Sequence, residues 1–175
     1  MTLQENYLQS VQKEFRLYKS YGEKTFVQLT DQDIHWRYQE SDNCIAVIVK
    51  HLVGNMLSRF SNFLSEDGEK PWRQREAEFE DTYATKKEMI TAWEKGWKCL
   101  FDAINTINSH NFQQQVKIRN EEHSIIAALN RQLGHYANHI GQIVFLGKMI
   151  RGTDWVSPSI PRGGSEAFNK AMFRK

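Results

Sequence analysis

TKKEMITAWEKGWKCLFDAINTI, residues 85–107, decides the fold class. Met89, Trp93, Trp97, Leu100, Ile104 and Ile107 recur at three- and four-residue steps, which gathers them on one helix face with charged residues opposite. The opening Thr85-Lys86-Lys87-Glu88 is a capping-box pattern, in which hydroxyl and carboxylate satisfy N–H groups that a first helical turn leaves free. A tryptophan pair at i and i+4 on such a stripe reads as core, ahead of the alternative that Trp93 and Trp97 wall a substrate pocket.

The same period extends in both directions. Upstream, Ile45, Ile48, Leu52, Met56, Phe60 and Phe63 form a second stripe, with Ser41 and Asp42 as candidate caps and an end near Leu64. Before it, Leu3, Tyr7, Val11, Phe15, Tyr18 and Gly22 predict an amphipathic helix to about Leu29. Downstream, Ile126, Leu129, Leu133, Tyr136, Ile140, Ile143 and Ile150 predict a fourth helix ending near Arg151. No alternating strand stands out between them. Four helices with one apolar stripe each bury those stripes most simply against one another, so the expected class is all-α, a four-helix bundle.

Two stretches break the period. SEDGEKPWRQREAEFEDTY, residues 65–83, contains Gly68 and Pro71 and predicts a long ordered loop between helices two and three. WVSPSIPRGGSEAFN, residues 155–169, is interrupted by Pro158, Pro161, Gly163 and Gly164 and predicts an irregular tail. The loop and tail are expected to pack together or against a second subunit. Within the loop, Arg73 and Arg75 have the planar donor forks that recognise carboxylates or phosphates, although pairing with Glu76, Glu78 or Glu80 is the leading alternative.

Length and composition fit one domain over residues 1–175, at 40% hydrophobic and 25% charged residues. A net charge of +2 from interspersed acids and bases provides no basic stripe, which argues against a nucleic-acid partner. Neither a signal peptide nor a membrane span is expected. Cys44 and Cys99 form no CxxC pair and are too few for a disulfide framework; they are read as small buried residues in a reducing cytoplasm.

His135 and His139 are the most chemically pointed residues, since i and i+4 share a helix face and two imidazoles there can grip one ion. Neutral imidazole suits zinc, nickel, copper or iron, and catalytic sites commonly add a third protein ligand and an open position. His51 is the leading third ligand because it aligns with Cys44, Ile48 and Asn55 beside the apolar stripe of helix two. His35 and His110 fall in connections, and His123 at the start of helix four. Among six histidines an HxxxH spacing arises by chance about one time in six, so packed or exposed histidines are an open alternative. Asn55 and Gln142, each near one of these histidines, are candidates to hydrogen-bond a ligand ring or a bound water, or simply polar helix surface.

HYANHIGQI, residues 135–143, together with His51 in an earlier helix, resembles the DinB-like or YfiT-like superfamily of metal-binding four-helix bundles. Residues 51–80 and the tail look like a small bacterial branch of that superfamily with no assigned function. The resemblance implies an up-down-down-up bundle, often dimeric, holding one nickel or zinc ion through His51, His135 and His139. It implies a transferase joining a low-molecular-weight thiol to an electrophile, with a metal-dependent hydrolase as the second expectation. A non-enzymatic metal- or ligand-binding protein is the third. The hydrolase expectation is weakened because Tyr136, Ala137 and Asn138 fill the gap where a zinc protease carries its glutamate.

Overall fold

A computed structural model describes residues 1–174 and is mostly helical. Four long helices dominate: α1 (Leu3–Phe26), α2 (Ile45–Phe60), α3 (Lys86–Asn105) and α4 (Ile125–Arg151). A short antiparallel hairpin, β1 (Gln115–Ile118) and β2 (Glu121–Ser124), precedes α4, and α5 (Ser165–Met172) closes the chain. Helix α2 lies chiefly against α3, and α1 against α4; α2 also meets α4, and α1 meets α3. No helix among the described residues is long and apolar enough to cross a membrane.

The stripes become a contiguous core. Phe15, Leu52, Met56, Trp93, Trp97, Leu100 and Tyr136 are fully enclosed, and Trp97 meets Phe15 and Tyr136 edge-on. Each such side chain removed from water contributes about 1.5–3 kcal/mol before entropy is charged against it. Helix α2 is enclosed nearly all round: Ile45, Ala46, Val47, Ile48 and Val49 are consecutive and all buried. Its surroundings explain this, since α3, α4, and short 3-10 turns at Asp33–His35 and Glu76–Phe79 all pack on it.

The ends of the elements differ from the sequence expectations in ways that matter for the site. Thr85 caps α3 as expected, its hydroxyl accepting from Glu88 N at 3.2 Å, but the Glu88 carboxylate takes the N–H of Ala84. Helix α2 begins after Cys44, which caps it without a side-chain bond, while Asp42 accepts from Gln39 N in the preceding turn. The expected caps Ser41 and Asp42 therefore stand outside the helix. Helices α1 and α2 stop at Phe26 and Phe60, short of Leu29 and Leu64.

The hairpin corrects the expectation of no strand. Its turn residues Arg119 and Asn120 have φ of 55° and 63°, the paired left-handed conformation that joins tightly twisted strands. Asp67 holds that turn by accepting from the N–H groups of both, at 2.8 and 2.6 Å, and Gly68 N donates to Lys117 O at 2.8 Å. The loop after α2 thus packs on the hairpin. The tail packs on α1 instead: Gln28 exchanges two hydrogen bonds with Val156, and Lys24 Nζ reaches Pro158 O at 3.1 Å. Residues 165–169, expected to be irregular, form the first part of α5, because nothing after Gly164 interrupts a helix there.

Candidate metal centre

Helix α2 places His51 opposite His135 and His139 on α4, and ring nitrogens of the three lie within 4.8 Å of one another. The rings meet edge to face, with centroids 5.2 Å apart for His51 and His135, 5.0 Å for His51 and His139, and 4.7 Å for His135 and His139. The Nε2 atoms of His51 and His135 are 3.2 Å apart. Two imidazole lone pairs at that separation need a proton or a cation between them.

Both outer rings are oriented from behind. Glu78 Oε2 accepts from Nδ1 of His51 at 3.0 Å, and Gln142 Oε1 accepts from Nδ1 of His139 at 2.9 Å. These bonds assign the proton to Nδ1 and turn each Nε2 lone pair toward the cluster, the arrangement by which proteins fix ligand tautomers. Glu78 is itself clamped, accepting from Nε and Nη2 of Arg73 at 2.7 and 2.9 Å. The next residue, Phe79, stacks on the His51 ring with centroids 5.3 Å apart. One short turn of the loop therefore grips the same imidazole at its edge and on its face.

Glycine at position 54 makes this approach possible. A Cβ there would lie 2.7 Å from Glu78 Cδ and closer still to Oε1, so any larger residue at position 54 displaces the carboxylate.

Protonation states suit metal ligation. Burial, followed by the neighbouring His139 and His51 and the cations Arg73 and Arg59, pushes His135 down to about 3. Burial also lowers His139, against an opposing bond from Gln142. Burial pushes the Glu78 carboxyl up, but hydrogen bonds from His51 and Arg73 outweigh it, and the net shift is down. The result is His135 and His139 held neutral near an ionised carboxylate, and three imidazoles are a donor set that fits a borderline divalent ion such as zinc or nickel.

A cleft of about 290 Å³ adjoins the cluster, lined by Asp42, Asn43, Ile48, Gln142, Phe145 and Leu146. Phe79, stacked on the His51 ring, remains 48% exposed, so that side of the cluster faces solvent across an aromatic surface.

Of the residues singled out from sequence, His51, His135, His139 and Gln142 come together here. Asn55 does not contact a ring; it accepts the Tyr136 hydroxyl at 2.9 Å inside the core. Trp93 and Trp97 are core residues. Arg73 is buried on Glu78, whereas Arg75 pairs with Glu69. His123 lies on β2, and Cys99 is only half-buried while Cys44 is enclosed. Phe79 and Gly54 were missed, and Glu78 was named only as one of three possible partners for the loop arginines, because the EAEF segment carries no periodicity that separates it from its acidic neighbours.

These features define a helical protein with an interhelical histidine cluster backed by a buried arginine–carboxylate pair. The model of a family described as "Protein of unknown function (DUF1572)" matches residues 2–164, and the chain belongs to that family. No curated protein and no solved structure matches it.

Proposed function

We propose that this chain is a metal-dependent enzyme of the DinB-like superfamily that joins a low-molecular-weight thiol to an electrophilic small molecule. In this reading the long helices form an up-down-down-up bundle, and the 25-residue passage from Ser61 to Thr85 supplies the crossover between α2 and α3. His51, His135 and His139 hold nickel or zinc. The observation that carries the reading is the pair of Nδ1 bonds, from His51 to Glu78 and from His139 to Gln142, which leave the Nε2 atoms free to ligate.

A divalent ion held by His51, His135 and His139 would supply the positive charge that favours a thiolate over a thiol near neutral pH. The chain's own residues do the rest. Glu78 and Arg73 fix the plane of His51, Gln142 fixes His139, and the half-exposed Phe79 against the His51 ring excludes water from one side of an incoming electrophile. The nucleophilic sulfur comes from the cosubstrate, in keeping with the reducing cytoplasm expected from the cysteine content. Hydrolysis is the weaker reading, because the nearest carboxylate, Glu78, already serves Arg73 and His51 and is not free to take a proton from water.

Elemental analysis of untagged protein, purified without chelator or nickel resin, tests the first step against folded His51→Ala and His139→Ala variants. Near-stoichiometric nickel or zinc in the wild type that both variants lose supports the centre. Thiol consumption that depends on that metal and on an added electrophile then supports transfer. A wild type that neither carries nor takes up either metal refutes the reading.

A further inference from the structure

A second cluster of metal-competent donors lies at the other end of the same loop turn and shares no residue with the first. His35 closes the 3-10 turn at Asp33–His35, Cys44 caps α2, and Asp81 follows the turn that carries Glu78. His35 Nδ1 is 2.8 and 3.0 Å from the two oxygens of Asp81, and Cys44 Sγ is 3.2 Å from Oδ2. Imidazole nitrogen, sulfur and carboxylate oxygen all fall within 4.8 Å of one another. The sulfur is enclosed, Cys44 having 0% exposure, and the Asp81 side chain is 18% exposed. Arg37 Nη2 sits behind them, 2.8 Å from Asp81 Oδ2 and 3.6 Å from Cys44 Sγ.

We propose that His35, Cys44 and Asp81 form a second metal site, selective for zinc-class ions, whose ion ties three chain segments together. The donor set argues for the ion. A thiolate with an imidazole and one carboxylate selects zinc or cobalt over magnesium and calcium, which demand oxygen ligands. Three protein ligands leave one position of a tetrahedron for water. On binding, the Cys44 thiol gives its proton to solvent, and thiolate plus carboxylate balance the two positive charges of the ion. Arg37 keeps its hydrogen bonds to carboxylate and sulfur and orients both, as outer partners of metal ligands do.

The placement gives the site its purpose. Its ligands come from three segments that lack regular structure or begin it, so one ion ties the 33–37 turn, the start of α2 and the end of the loop into a unit. Seven helical steps lead from Cys44 to His51, a rise of about 10 Å, so the two sites are separate centres. Asp81 and Glu78 stand three residues apart, and fastening one restrains the other.

Cobalt(II) titration of the full chain under reducing, oxygen-free conditions at about pH 8, where thiolate formation is favoured, reads this site apart from the three-histidine centre. Only a thiolate ligand produces the intense near-ultraviolet sulfur-to-cobalt charge-transfer band. The wild type is expected to show that band, and zinc to abolish it. A His51→Ala/His139→Ala variant should retain the band at one equivalent even if the histidine centre is lost, and Cys99→Ala should retain it too. Cys44→Ala should lose it, and His35→Gln should weaken or lose it if the Cys44 variant fails to fold. Absence of the band in the wild type, or its survival in Cys44→Ala, overturns the proposal whatever becomes of the three-histidine reading.

Discussion

Replacing Gly54 by alanine should destabilise the protein by about 2–4 kcal/mol, although alanine is the better helix former. On an unobstructed helix the change gains up to about 1 kcal/mol. Here the new methyl lies 2.7 Å from Glu78 Cδ, and Glu78 cannot swing aside cheaply because Arg73 holds both of its oxygens and His51 holds one. The Arg73 and Glu78 side chains are 1% and 8% exposed, so displacing the carboxylate strands a buried guanidinium. Breaking a buried pair in this way costs about 3–5 kcal/mol. Urea denaturation in chelator, followed by circular dichroism, measures the loss. Thermal midpoints should fall by roughly 4–16 °C for a chain of this size. The decisive comparison is the same substitution in an Arg73→Met/Glu78→Ala background, where it should become stabilising by up to about 1 kcal/mol. An equal loss in both backgrounds would mean that the methyl meets something other than Glu78, and the clamp on His51 would have to be abandoned.

Three further outcomes follow from the same geometry. Glu78→Gln keeps the side chain's shape but removes its charge, so zinc or nickel affinity measured by competition with a chromophoric chelator should drop about 10–100-fold; unchanged affinity contradicts the orienting role. In chelator, acid should destabilise the fold through His135. Its folded value near 3 lies below the ordinary 6.5, so stability is fully present above pH 6.5, declines as the unfolded chain takes up the proton, and has lost up to about 2 kcal/mol by pH 5 in a His135→Gln comparison. A variant as acid-sensitive as the wild type rules this out. Gly22→Ala should cost about 1–2 kcal/mol in thermal melts, because its methyl would stand 2.7 and 2.8 Å from the indole of the enclosed Trp93; a neutral result shows that the indole can move.

The long helices were legible because each carries its own evidence. The Met89, Trp93, Trp97, Leu100 stripe and the Thr85 cap lie within one segment, and burial there depends on little beyond helical period. Helix α2 was read too narrowly, since a central helix is enclosed on several sides and its buried residues are consecutive. The hairpin escaped because only half of it alternates: Val116 and Ile118 are buried, while β2 reads Glu-Glu-His-Ser and remains largely exposed. Its turn uses Arg-Asn in place of the glycine pair that signals such a bend. The helix α5 was hidden by Gly163 and Gly164, which end the irregular stretch just before it starts. At the site, spacing put His135 and His139 on one helix face and made His51 the leading third residue, and it took the family resemblance to join the three. Glu78, Asp81 and Cys44 could not be placed, because partnership across the loop depends on how residues 61–85 return to α2, and no local pattern records that path.

The return path also sets an order of events. His135 and His139 are neighbours on one helix from the moment α4 forms, but His51 precedes His135 by 84 residues and Glu78 follows His51 by 27. Contacts across such separations form only after the long intervening segments have closed, when most of the entropy of folding has already been lost. The histidine cluster is therefore expected to assemble late, on the native side of the folding barrier. An ion held there would lengthen the life of the folded chain by slowing unfolding, with the rate of folding nearly unchanged. Stopped-flow kinetics with and without chelator would show it as a shift in the unfolding limb alone.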